Sequence, residues 1–228
     1  MSTETKVTDE QRIKRFPIKT FREVQDIQAH FCQMNNFTDT PEKIWKLLQG
    51  ELTECQEAIE LDDLAEIKGE LADIVIFAAT IATMTQTDLH ESITQYDTAF
   101  KESADANDGT ILAIQSIRKD RKSHDIAPPM LIQYLTQYTK AVESAEQIPT
   151  DTKEIFHAVS IISVGVIDIA NDYGVNLTDA ITQKIDRNYS KYNPYKRKEL
   201  LASGLDPQKA YQIQKGQWDR GRDKQFIK

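Results

Sequence analysis

Apolar positions recur along this chain at intervals of three and four far more often than at intervals of two, so the pattern predicts helices. Phe21, Val24, Ile27 and Phe31 make the first such stripe, and Asn35-Asn36 is expected to end it. Thr40 followed by Pro41 and Glu42 is a helix start, a capping hydroxyl with proline at the first helical position, and Ile44, Leu47, Leu48, Leu52 and Ile59 carry a second stripe onward. Leu61-Asp62-Asp63 breaks the pattern. A third helix is expected from Leu64 to Gln86 and a fourth from Leu89. Short loops between four helices predict an antiparallel all-α bundle.

The stretch from Ser103 to Pro129 is weakly periodic and rich in Asp, Lys and Ser, and reads as a connector with room for one short helix, closed by Pro128-Pro129. A second helical set follows. Asp88-Leu-His-Glu-Ser-Ile-Thr-Gln95 matches Asn176-Leu-Thr-Asp-Ala-Ile-Thr-Gln183 at an offset of 88, with four of eight positions identical. The same offset lays the apolar run Ile74–Ala82 on Ile162–Ala170, which predicts an internal duplication. The expected organisation is a polar lead-in over 1–19, a first repeat over 20–103, a connector over 104–129, a degenerate second repeat over 130–194 and a basic, polar helical tail over 195–228.

Composition narrows the class. Eight Gly and seven Pro in 228 residues supply few turns, which disfavours a strand-rich sandwich. A net charge of −8 disfavours a general polyanion binder, so no nucleic-acid polymer is expected as partner, and an anionic ligand would need a metal between it and the protein. Two cysteines, Cys32 and Cys55, each amid helix-type residues, read as free thiols. The polar N-terminus and apolar runs shorter than the roughly 20 residues that cross a bilayer predict a cytoplasmic protein with no membrane partner.

The candidate chemistry lies on the second and third helices. Glu51 and Glu54 are three residues apart and share a helix face; Glu70 and Asp73 do the same, and Asp73 runs directly into Ile74-Val75-Ile76-Phe77. Carboxylates entering a buried helix need a partner, and four together need a divalent cation to offset their repulsion. Oxygen-only ligands favour Mg²⁺, with Mn²⁺ able to substitute. Glu pairs are also common on solvated faces, and Glu57, Glu60 and Glu66 make this stretch acidic in any case.

Glu51-x-x-Glu54 and Glu70-x-x-Asp73, in the contexts LLQGELTECQEA and KGELADIVIF, resemble the motif of the MazG-like and dimeric-dUTPase all-α nucleoside triphosphate pyrophosphohydrolases. TFREVQDIQAHFCQMNNFTDTPE is similar to that family's first helix. The resemblance implies that the four acids bind Mg²⁺ and that a nucleoside triphosphate is hydrolysed to monophosphate and pyrophosphate, with Glu54 as the candidate base. It also implies phosphate ligands at Lys184, Asn188, Lys191 and Tyr192, where the family's Lys–Asn–basic–Tyr pattern falls in the second repeat.

Departures from the family pattern shape the expected site. At offset 88 the first repeat has Tyr96, Phe100 and Ser103 against Lys184, Asn188 and Lys191, while the second has Ala158 and Ile161 against Glu70 and Asp73. Glu143-x-x-Glu146 reads as a relic of the first acid pair, and Ile67 stands where the family often has a basic residue. Each repeat lacks what the other keeps, which predicts one composite site in a chain that is its own pseudo-dimer, with room for further homodimerisation. Phe31, Asn35 and Trp45 are the candidates for the base, against ordinary core packing for Phe31 and Trp45. Rival readings are a di-iron bundle, from the single Glu154-x-x-His157 pair, a nucleotide-binding module without turnover, and a phosphoribosyl-ATP pyrophosphohydrolase.

Overall fold

A computed structural model describes residues 18–37, 39–96, 109–121, 126–144 and 152–225. The helices are α1 (Phe21–Asn35), α2 (Pro41–Glu60), α3 (Leu64–Met84), α4 (Leu89–Tyr96), α5 (Ile111–Arg121), α6 (Pro128–Ser144), α7 (Thr152–Asp172), α8 (Leu177–Lys191), α9 (Pro194–Ala202) and α10 (Pro207–Gln225), with no strand among the described residues. They form two compact units. The larger takes residues 18–29 and 39–182; the smaller takes described residues 30–37 and 183–225.

Local signals explain the helix ends. The Thr40 side chain accepts the Lys43 N–H to start α2, and Asp63 accepts the N–H groups of Ala65 and Glu66 to start α3. At α1, Thr20 Oγ1 accepts the Glu23 N–H while Glu23 Oε2 accepts the Thr20 N–H, a reciprocal capping box. Gln86, at φ 58°, ends α3 two residues short of the expected boundary: the Thr87 N–H reaches back to the Ala82 carbonyl at 2.9 Å and closes a Schellman turn.

Within the larger unit α3 is buried nearly all round, from Ile67 through Ala82, and is a central helix rather than an amphipathic one. It packs on α2, α4 and α7, and α7 in turn packs on α3, α4, α5 and α6. Residues 154–172 of α7 are long and apolar enough to cross a membrane, but 72% of that window is buried within the protein, as befits a core helix. On α2, Ile44, Trp45, Leu48, Leu52, Cys55, Ala58 and Ile59 are buried; Leu47, expected on that stripe, is 41% exposed because it lies about 100° round the helix from Leu48.

The second helical set repeats details of the first. Residues 64–84 of α3 become 152–172 of α7 at the offset of 88. Gly174 repeats the φ of Gln86 at 66°, and the Val175 N–H bonds the Ala170 carbonyl as Thr87 bonds Ala82. Asn176 Oδ1 accepts the Asp179 N–H as Asp88 Oδ1 accepts that of Glu91. The connector stretch holds α5, and Pro128-Pro129, expected to close it, open α6 instead. Thr110 caps α5 through the Ala113 N–H, as Thr20 caps α1, at an offset of 90. Residues 1–17, Phe100, Ser103 and Glu146 lie outside the described residues.

Candidate metal and nucleotide site

Helices α2 and α3 form a tightly packed pair in the larger unit. Glu51 projects from α2, and Glu70 and Asp73, one turn apart, project from α3. One carboxylate oxygen from each of the three lies within 4.8 Å of the others. Glu70 is 7% and Asp73 9% exposed, in a helix whose neighbouring side chains are apolar. Glu70 Oε2 is buried and has no hydrogen-bond partner.

Electrostatics express this crowding. The Glu51 carboxyl is pushed up to about 9, by burial first, then by its hydrogen bond with Glu70 and by the charges of Asp73, Glu70 and Glu54. Without a cation Glu51 thus keeps its proton at neutral pH, which relieves like-charge repulsion in the cluster. Beside them the buried Cys55 thiol is raised to about 12 by burial and by Glu70, so it is a neutral packing group, and neither cysteine is in a disulfide. An orphaned buried oxygen in a set of hard carboxylate donors fits a divalent cation, which would displace the Glu51 proton.

Glu54 differs from the other three acids. It is exposed and lines an open cleft of about 640 Å³ with Gly50, Thr53, Glu57, Asp63 and Glu66, and Glu70 reaches the same cleft. The wall is acidic, so an anionic ligand there needs a bound cation. Ile67 is fully buried, which leaves no basic group at that position.

Lys184, Asn188, Lys191 and Tyr192 belong to the smaller unit, on the last two turns of α8 and just beyond. The Lys191 ammonium sits 5.1 Å above the Tyr192 ring. Phe31 and Asn35, at the end of α1, are in that unit too: Phe31 packs on Tyr189 at 4.7 Å, and Asn35 Nδ2 donates to the Phe31 carbonyl at 3.1 Å. Trp45 is a core residue of the larger unit. It has no exposed surface on which a base could stack, and its indole N–H donates to the Thr139 carbonyl at 3.3 Å. His157 packs edge-on to Tyr96 at 5.3 Å, and the Glu154–His157 pair joins no cluster of potential metal ligands among the described residues.

A helical pair thus gathers carboxylates from both members around one point, a set that could hold a metal ion. Residues 39–102 match the family model of the MazG nucleotide pyrophosphohydrolase domain, so this segment is a MazG-like domain, that of a hydrolase acting on nucleotide phosphoanhydride bonds. No curated protein and no solved structure gives a match. The matched segment holds all four acids of the motif.

Proposed function

We propose that the protein is a Mg²⁺-dependent nucleoside triphosphate pyrophosphatase, releasing a nucleoside monophosphate and pyrophosphate from a ribo- or deoxyribonucleoside triphosphate. The observation that carries this reading is Glu70 Oε2, buried without a partner where three carboxylates converge in a MazG domain. Glu51, Glu70 and Asp73 would hold the cation, which would supply charge neutralisation at the phosphates and polarise the α-phosphorus. Mn²⁺, with the same preference for oxygen ligands, can substitute. Glu54, exposed on the cleft wall one turn from Glu51, orients the attacking water and takes its proton.

Lys184, Asn188 and Lys191 serve the same reaction as phosphate ligands, and α8 is the second repeat's counterpart of α4. The repeated turns, caps and helix bounds at offsets of 88 and 90 support an origin by duplication, after which one repeat kept the acids and the other the phosphate ligands.

The test is a panel of NTPs and dNTPs with Mg²⁺, pyrophosphate and orthophosphate being read separately. Pyrophosphate from at least one of them is expected. Orthophosphate alone would refute the bond assignment, and nucleotide binding without turnover would make the protein a binding module instead.

A further inference from the structure

The smaller unit contains polar groups that its fold leaves unused. Arg197 on α9 is 3% exposed; its Nη2 donates to the Pro207 carbonyl at 3.2 Å, while Nε and Nη1 are buried and have no partner. Gln214 on α10 is also 3% exposed; its Nε2 donates to the Asn193 carbonyl at 2.7 Å, and Oε1 is buried without a donor. Two donor nitrogens and one carbonyl acceptor are therefore buried without a partner on two adjoining helices. Folded proteins satisfy most such atoms, so a set left open points to a partner that brings both acceptors and a donor.

Aromatic faces surround them. The Arg197 guanidinium lies 5.3 Å from the centre of Phe37, and Phe37 meets Tyr192 and Tyr211 edge-on at 6.2 and 6.3 Å. Tyr192 and Tyr211 stack in parallel at 5.4 Å, with planes 8° apart. Lys191 lies over the Tyr192 ring, and Gln214 follows Tyr211 by three residues on the same helix. Tyr211, Tyr192 and Phe37 are only half-buried. Over residues 183–228 the chain has twelve Lys and Arg against five Asp and Glu, in a protein of net charge −8, so this segment attracts anions that the rest repels.

We propose that the smaller unit carries a nucleobase-binding subsite: a base stacks on Tyr211, offers its ring-nitrogen and carbonyl acceptors to Arg197 Nε and Nη1, and donates an N–H to Gln214 Oε1. This rests on the nucleotide reading above only for the phosphates the base carries. A planar heterocycle with acceptors and a donor side by side on one edge satisfies all three open atoms at once. Stacking on one aromatic face tolerates any base, whereas the edge contacts select among them.

Binding is measured on the full chain in EDTA, which keeps the acid cluster empty, by saturation-transfer NMR and calorimetry. The probes are the common nucleoside 5′-monophosphates, tripolyphosphate and a short single-stranded oligonucleotide. At least one monophosphate is expected to bind, with affinity falling at least tenfold in Tyr211→Ala and Gln214→Leu, near wild type in Tyr211→Phe, and with tripolyphosphate binding unchanged in all three. Thermal melts identify any variant that fails to fold, and Tyr211→Phe against Tyr211→Ala remains decisive if Gln214→Leu does. Absence of base-proton saturation transfer from every monophosphate overturns the subsite, and pyrophosphate release in the separate panel would still stand. Equal displacement by tripolyphosphate, or binding of the oligonucleotide alone, also overturns it, in favour of an anion patch or a strand-binding surface respectively.

Discussion

Gln25 and Gln115, ninety residues apart, make the same pair of hydrogen bonds to the same kind of turn. Gln25 Nε2 donates to the Thr87 carbonyl at 2.8 Å and Oε1 accepts the Leu89 N–H at 2.9 Å; Gln115 does this to Val175 at 3.0 Å and Leu177 at 3.1 Å. Each side-chain amide thereby ties the first helix of its set to the loop entering the fourth, satisfying an N–H and a C=O that a helix start leaves open. Gln115→Leu leaves both groups buried and unpaired, and is expected to lower unfolding free energy by about 1–3 kcal/mol. Gln25→Leu, at a half-buried position, should cost less. Denaturant melts compare the two, and equal or negligible losses would remove the clamp from the account.

Glu70→Gln should abolish pyrophosphate release while leaving the helical circular-dichroism signal intact. The amide keeps the shape of the side chain, removes a charge from the cluster and takes away one cation ligand. Stability without metal should hold or rise. Loss of the helical signal would make Glu70 structural and undercut the cation site.

Mg²⁺ should stabilise the protein more at high pH than at low. Glu51 is held at about 9 in the folded chain against an ordinary 4.5, so the stability it contributes is fully present below 4.5 and is lost as pH rises toward 9. A cation that displaces the proton meets less competition as pH rises. Melting temperatures with and without Mg²⁺ at pH 6, 7 and 8.5 measure this, and a pH-independent shift would mean that the ion binds elsewhere.

Lys184→Ala and Asn188→Ala are each expected to lower turnover at least about tenfold, equivalent to roughly 1.4 kcal/mol of transition-state stabilisation. Tyr96→Ala, 88 positions before Lys184, should act through packing on His157 and hence on melting temperature. Wild-type kinetics in both α8 variants would reduce the second repeat to a scaffold.

Gly174→Ala isolates a backbone effect. A Cβ there meets nothing within 4 Å, so the cost should be only that of holding an L-residue at φ 66°, about 1 kcal/mol. Gln86 already bears that strain at φ 58°, and Gln86→Gly should recover a similar amount. Thermal melts that show no opposite-signed pair of shifts would count against the two turns being equivalent.

The sequence by itself determined the elements whose signals are local. Thr40-Pro41 set the start of α2 because a cap and a fixed φ act within one turn, and the run after Asp73 marked α3 as a central helix because a helix apolar on every side has nowhere else to go. Glu70 and Asp73 were legible because carboxylates next to a buried run demand compensation, and Glu51 through its i,i+3 pairing with Glu54 and the family resemblance. The octamer match exposed the repeated α4 and α8 starts. Only the tertiary structure decided which acids converge, since an i,i+3 pair shares a face without fixing what that face meets; Glu51 turns to Glu70 and Glu54 lines the open cleft. It alone showed that α5 starts and is tied to a following loop as α1 is, because the likeness is carried by Thr110 and Gln115, two polar side chains in a stretch with little apolar period. Trp45 in the core and Arg197 among the aromatics follow from packing between helices far apart in the chain, which no periodicity along a single helix records.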